Sequence, residues 1–224
     1  MSSSALITGA NRGVGLALAR HYADAGWRVT GVCRSSGDDT AELRQVAARV
    51  IEGVDVTRDE DVARLAVELE GQRLDLLVNN AGLLKDESLG EIDFDSIRAQ
   101  MEVNAYAPLR VTEALLGCLG EGSKVANITS RMGSIADNDS GGRYGYRASK
   151  AALNAFGKSL AMDLAPRGIA VAQLHPGYVQ TRMVNFGGLI TPEEAAAGIA
   201  ERIAALTLAT SGGFWHSNGE PLPW

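Results

Sequence analysis

The sequence predicts an α/β fold, a doubly wound sheet of about seven mainly parallel strands flanked by helices. Short apolar runs alternate with helical patterns along the whole chain of 224 residues. A glycine-rich turn joins the first apolar run to the first helical pattern, and no linker, low-complexity tract or tandem repeat interrupts the alternation. A single domain over residues 1–224 follows, and a hydrophobic content of 46% is enough to bury a sizeable core.

The elements can be read in order. Ala5–Gly9 is an apolar run ending in a turn, and Gly13–Ala25 carries Val14, Leu16, Leu18, Ala19 and Tyr22 at a mostly helical period. Further strands are expected at Arg28–Cys33, Val50–Val54, Leu74–Asn79, Lys124–Thr129, Ile169–His175 and Gly213–His216. The helices between them are expected at Ala41–Ala48, Asp59–Glu70, Phe94–Leu119, Tyr146–Ala165 and Pro192–Leu208. The last has a clear start signal, with a capping hydroxyl at Thr191, proline at the first helical position and acids at Glu193 and Glu194. Such alternation implies right-handed βαβ units, and in an open sheet of this kind ligands bind past the carboxyl ends of the strands.

Three groups of residues carry chemistry. In the turn over residues 8–15, Gly9, Gly13 and Gly15 let backbone N–H groups approach a pyrophosphate at a helix N-terminus, although the Gly-x-x-x-Gly-x-Gly spacing meets the general dinucleotide fingerprint only in part. Tyr146 and Lys150 stand four residues apart on one helical face, with Cβ atoms about 6 Å apart. An ammonium at that separation is expected to lower a phenol pKa by about two units. Asn79-Asn80-Ala81-Gly82, Ser130 and Pro176-Gly177 each follow a strand and therefore gather at one edge of the sheet.

Other classes are disfavoured. The net charge is −6 and there is no basic run, so nothing favours nucleic acid. Cys33 and Cys118 are isolated thiols, giving neither a disulfide framework nor metal-ligand spacing. Met1-Ser2-Ser3-Ser4 runs directly into the first strand and no apolar run approaches membrane-spanning length, so a soluble, cytoplasmic protein is expected.

Thr8-Gly9-Ala10-Asn11-Arg12-Gly13-Val14-Gly15, Asn79-Asn80-Ala81-Gly82, Asn104, Ser130, Tyr146-Arg147-Ala148-Ser149-Lys150 and Pro176-Gly177-Tyr178-Val179-Gln180-Thr181 occur in that order. Their order and spacing resemble the short-chain dehydrogenase/reductase family over essentially the whole chain. The stretch from Ser130 through Gly133-Ser134-Ile135 and Gly141-Gly142 to Tyr144-Gly145-Tyr146 is most similar to the C-factor-like and Sniffer-like carbonyl reductases, and Gly219-Glu220-Pro221-Leu222-Pro223-Trp224 resembles that branch more loosely.

The resemblance implies a Rossmann-like domain with a catalytic region at 104–150 and a cofactor and substrate loop at 176–191. It implies a Tyr146 proton donor, a Lys150 that contacts the nicotinamide ribose and lowers the phenol pKa, a Ser130 that holds the substrate oxygen, and an Asn104 that holds a relay water. The cofactor would be bordered by Gly9, Asn11, Arg12, Gly13, Val14, Gly15, Asp55, Val56, Asn79, Ala81, Gly82, Pro176, Gly177, Val179 and Thr181. Asp55 matches the position that contacts the adenine amino group. In relatives the residue matching Asn79 borders the cofactor and also ties neighbouring strands together; the alternative is a purely structural role.

Relatives that use NAD usually place an Asp at the end of the second strand. Here Cys33 stands at that point and Arg34 follows it; with Arg12 in the glycine turn, this implies NADP(H), because guanidinium groups bind a 2′-phosphate. Tyr144 is assigned to the substrate pocket or to packing, and His175 to a structural turn. The short segment Arg182–Ile190, with Met183 and Phe186, should form an apolar flap over a permissive site for small carbonyl compounds. The tail Leu222-Pro223-Trp224 closes one side of that site, packs on its own domain or packs at a subunit contact. A homodimer through Phe94–Leu119 and Tyr146–Ala165 is expected. The alternative function is a C-factor-like signalling protein that binds NADP(H) with little turnover.

Overall fold

The computed structural model describes residues 2–224. One seven-stranded sheet runs in the order β3-β2-β1-β4-β5-β6-β7. Its strands are β1 (Ser4–Thr8), β2 (Arg28–Val32), β3 (Arg49–Ile51), β4 (Leu74–Asn79), β5 (Leu119–Ile128), β6 (Ala170–His175) and β7 (Gly213–His216). Every neighbouring pair is parallel. Helices α1 (Gly13–Asp24), α2 (Ala41–Val46), α3 (Asp59–Glu68), α4 (Phe94–Met101), α5 (Ala107–Ala114), α6 (Tyr144–Leu164) and α7 (Pro192–Ala205) connect them.

Successive strand residues point to opposite faces, which explains why the strands read as unbroken apolar runs. Leu76 and Val78 join the cluster under α1 and α7 with Leu18, Ile199 and Ile203, whereas Leu77 joins Leu65, Val111 and Leu115 under α3 and α5. A row of buried amides crosses three strands. Asn79 Nδ2 donates to Thr112 Oγ1 at 3.0 Å and to Asn127 Oδ1 at 2.9 Å, and Asn127 Nδ2 donates to Gln173 Oε1 at 3.1 Å.

The structure corrects several boundaries. β3 ends at Ile51, because Glu52 turns away to accept from Thr40 Oγ1 and Arg44, and Gly53 takes a positive φ. The expected helix Phe94–Leu119 is broken: α4 stops at Met101, a π-helical turn covers Glu102–Tyr106, and α5 ends at Ala114. Pro108 accounts for the break, since it cannot supply the N–H that an unbroken α-helix would send to the Asn104 carbonyl, and its ring crowds that carbonyl. Leu119 instead opens β5 opposite Leu74, with Ser123 Oγ donating to the Leu74 carbonyl at 2.7 Å. Helix α6 starts two residues ahead of the expected Tyr146, at Tyr144, after Gly141, Gly142 and a left-handed Arg143.

Candidate active site

The chain reverses its winding direction between β1 and β4, and the two glycine-bearing segments meet there. Gly9 and Gly13 have φ of 64° and 54°, conformations that disfavour a side chain. Gly15 has no room for one: a Cβ would stand 2.5 Å from Asn80 Nδ2. Asn80 is the clamp on this turn, donating to the carbonyls of Thr8 at 3.0 Å and Gly9 at 3.1 Å. Thr8 Oγ1 accepts in return from the Asn80 and Ala81 N–H groups. Arg12 precedes α1 in an extended conformation without a side-chain cap, so the first helical N–H groups face the crevice free of a protein side chain.

The basic residues and their acid lie along the same rim. Arg12 is exposed, and its side chain makes no hydrogen bond or ion pair among the described residues. Arg34, also exposed, lies 3.6 Å from Asp55 Oδ2. Burial pushes the Asp55 carboxyl up, but bonds from Thr57 and the Arg34 charge outweigh it and hold the group below its ordinary range. Cys33, buried at the end of β2, is pushed up to about 11 by burial and then by the Glu52 charge, so it remains a neutral thiol. Asn11 reaches the Asp39 carbonyl at 3.5 Å. Val56 and Ala81 line a narrow crevice with Thr8 and Val103. Val14 packs against the core cluster under α1.

Across the crevice, Ser130 leaves the end of β5 and its Oγ accepts from the Met132 N–H at 3.1 Å, which leaves its O–H proton free to donate. Tyr146 and Lys150 occupy successive turns of α6, with the ammonium 5.8 Å from the centre of the phenol ring. The sequence-based expectation of a lowered phenol pKa is not met. Burial raises it, while Ser130 and the Arg143 charge oppose the rise. Burial also lowers Lys150 to about 8, and its Nζ donates to the Ile128 carbonyl at 2.9 Å.

Asn104, in the π turn, donates to the Leu83 carbonyl at 2.7 Å and to Ser149 Oγ at 3.0 Å and accepts from the Leu83 N–H at 2.8 Å. Its side chain thus ties the loop after Gly82 to α6 between Tyr146 and Lys150. The Asn79 side chain points into the amide row and ties the strands together.

The loop after β6 folds back over the crevice. Gly177 has φ of 96°, Val179 bridges to Ile190, and a Cβ on Gly13 would lie 3.3 Å from Thr181 Cγ2. Met183 reaches toward Gly82, and Phe186 stands 65% exposed on a left-handed backbone. Tyr144, in the first turn of α6, is also partly exposed. The tail packs on the segment behind Ser130: the Trp224 carbonyl accepts from Ser134 Oγ and from the N–H groups of Ile135 and Ala136, and its ring stacks on Phe214 at 5.4 Å. Sequence reasoning did not single out Asn80 as the clamp or Ser149 as the link; both act through contacts distant along the chain.

A parallel sheet with a glycine turn at its winding reversal and a serine, a tyrosine and a lysine across the crevice defines an oxidoreductase of the nucleotide-dependent kind. A family model described as short chain dehydrogenase matches residues 3–187, and the chain belongs to that family. It is 43% identical over 228 residues to a 1-hydroxy-2-glutathionyl-2-methyl-3-butene dehydrogenase of Rhodococcus sp. (strain AD45), covering 99% of this chain and 100% of that one. It is 41% identical over 154 residues to the C-signal protein of Myxococcus xanthus, covering 67% of this chain and 93% of that one. The structure superposes on an NADPH-bound carbonyl reductase from chicken fatty liver with a TM-score of 0.91 at 29% identity, over 100% of this chain and 99% of that one. Among the described residues, no helix is long and apolar enough to cross a membrane.

Proposed function

We propose that this protein is an NADP(H)-dependent reductase of small apolar carbonyl compounds, with Tyr146 as proton donor. The observation that carries this reading is the buried Tyr146 phenol beside the Ser130 hydroxyl, with the Lys150 ammonium one turn behind it. NADPH suits the uncapped start of α1, the close approach at Gly15 and the two basic groups Arg12 and Arg34, where an acid would repel a 2′-phosphate. When bound it supplies the hydride. Ser130 donates a hydrogen bond to the substrate oxygen, and stabilises the charge that develops there. Burial keeps the Tyr146 phenol protonated at neutral pH, and it delivers that proton to the oxygen. Lys150 then supplies a proton to the Tyr146 phenolate oxygen and is itself re-protonated from solvent through the relay water at Asn104.

The relay role of Asn104 belongs to its backbone carbonyl, because its side-chain atoms are bonded to Leu83 and Ser149 and Pro108 supplies no N–H to that carbonyl. The exposed apolar side chains of Tyr144, Met183 and Phe186 form an open wall for the substrate. The similarity to C-signal favours a second reading, a protein that holds NADP(H) with little turnover. NADPH oxidation with aromatic aldehydes, diketones, quinones and a glutathionyl aldehyde tests both. Tyr146→Phe should bind NADPH as the wild type does and lose about 10²–10⁴-fold in rate. A wild-type rate in that variant would place the acid elsewhere, and NADPH binding without turnover of any compound would favour the second reading.

A further inference from the structure

The catalytic helix begins on a carboxylate that lies outside the motifs. Glu87 is 4% exposed, in the loop after Asn79-Asn80-Ala81-Gly82, and its Oε2 accepts from the Gly145 N–H at 3.0 Å, one residue before Tyr146. Its Oε1 accepts from Ser96 Oγ at 2.8 Å and Gln100 Nε2 at 2.5 Å, both on α4. Its carbonyl accepts from the Arg143 N–H at 3.0 Å, and the adjacent Asp86 pairs with the Arg143 guanidinium at 2.5 Å.

Helix α6 needs such a partner, because Arg143 stands at its N-cap in a left-handed conformation and offers no side-chain cap. The crossing of α4 and α6 is close at this point: a Cβ on Gly145 would lie 2.6 Å from Gln100 Nε2 and 3.0 Å from the Ile97 backbone. The same loop is stitched to α4 by Lys85 N–H on Gln100 Oε1 and to the π turn by Leu83 on Asn104. Hydrogen bonds therefore tie the loop after Gly82 through Glu87 to the turn that carries Tyr146.

We propose that Glu87 is a positioning residue for Tyr146, fixing the height of the phenol against the cofactor-side loop. The proposal rests on Tyr146 being the proton donor. Without the carboxylate, three donors lose their acceptor and the first turn of α6 is free to move. A misplacement of about 1 Å at a reacting group costs about 10²-fold in rate.

The test uses Glu87→Ala, Glu87→Gln and Tyr146→Phe in the full chain. Each is measured for NADPH affinity and stoichiometry, kcat and KM for one aromatic aldehyde, and the solvent deuterium isotope effect on kcat. Glu87→Ala should lose about 10–100-fold in kcat per NADPH site, with NADPH affinity kept within about twofold and a larger isotope effect as proton transfer becomes limiting. Glu87→Gln keeps the shape and one acceptor oxygen; it should recover most of kcat while its isotope effect stays above that of the wild type. A Glu87→Ala protein that melts earlier but keeps kcat and isotope effect would reduce Glu87 to a helix cap and overturn the proposal. If Glu87→Ala does not fold, an unchanged isotope effect in Glu87→Gln overturns it equally. Full activity in Tyr146→Phe would instead remove the acid assignment, and the positioning role with it.

Discussion

His175 should make this protein lose stability on mild acidification. It lies at the carboxyl end of β6 with its ring edge-on to His216 at 4.8 Å, and its Nδ1 is buried without a partner. Burial, reinforced by the His216 and Arg131 charges, lowers its pKa from 6.5 to about 3. In the unfolded chain the imidazole takes up a proton below about pH 6.5, whereas in the folded protein it stays neutral until about pH 3. The unfolded state therefore binds more protons in that window, and stability falls as pH falls. Between about pH 8 and about pH 5 the loss is RT ln(1 + 10^1.5), or about 2 kcal/mol. For a chain of this size that is about 4–8 °C in melting temperature.

His175→Phe keeps an aromatic ring against His216 and removes the titration. Thermal unfolding followed by circular dichroism, at both pH values and for both proteins, isolates the effect because the carboxylates and His216 remain in each. We expect the wild-type drop to exceed the variant's by about 4–8 °C. Equal drops in the two proteins would refute the neutral burial of His175.

Arg34→Asp should shift preference from NADPH toward NADH by about tenfold or more, through loss of a charge-assisted bond and repulsion of the 2′-phosphate; a wild type that already favours NADH would refute the assignment. Asn80→Ala removes both bonds to the Thr8 and Gly9 carbonyls, so it should destabilise the fold by about 1–3 kcal/mol and weaken NADPH binding measured by calorimetry. Unchanged affinity would show that the turn holds its shape without the clamp. A homodimer through α4, α5 and α6 is expected at micromolar concentration, and light scattering that shows only monomer would remove it.

The fold was legible because the central strands are buried on both faces and helical periodicity returns between strands. Leu76-Leu77-Val78 sends side chains to two different clusters, so all three must be apolar. A break near Pro108 is legible, because a proline inside a helical pattern cannot supply the N–H an unbroken helix needs; that the chain takes up the break as a π turn over Glu102–Tyr106 is not, since it depends on the tertiary contacts of Asn104. The site was legible as a set of residue types at strand ends, but its electrostatics were not. Spacing places Lys150 beside Tyr146, yet the ammonium's hydrogen-bond partner is the Ile128 carbonyl, 22 residues away along the chain. Depth of burial, which raises the phenol pKa and lowers that of the lysine, is a property of the packed helix pair and not of the spacing. Asn80 and Glu87 act through neighbours 71 and 58 residues away, respectively, so no local pattern marks them.

The amide row through Asn79, Asn127 and Gln173 solves a problem that apolar patterning leaves open. Side chains in a strand repeat every two residues, so a strand that slid by two would still bury all its apolar groups on the correct faces. It would, however, carry the loop beyond it about 6.6 Å along the sheet. Asn79 pairs with Asn127 and Asn127 with Gln173 in register, and a two-residue slide would leave buried amides facing aliphatic side chains. Gly82, Ser130 and Pro176 each stand three residues beyond one of these rungs. The row thus acts as a vernier for the sheet, bringing three segments far apart in the chain to a common level at its working edge.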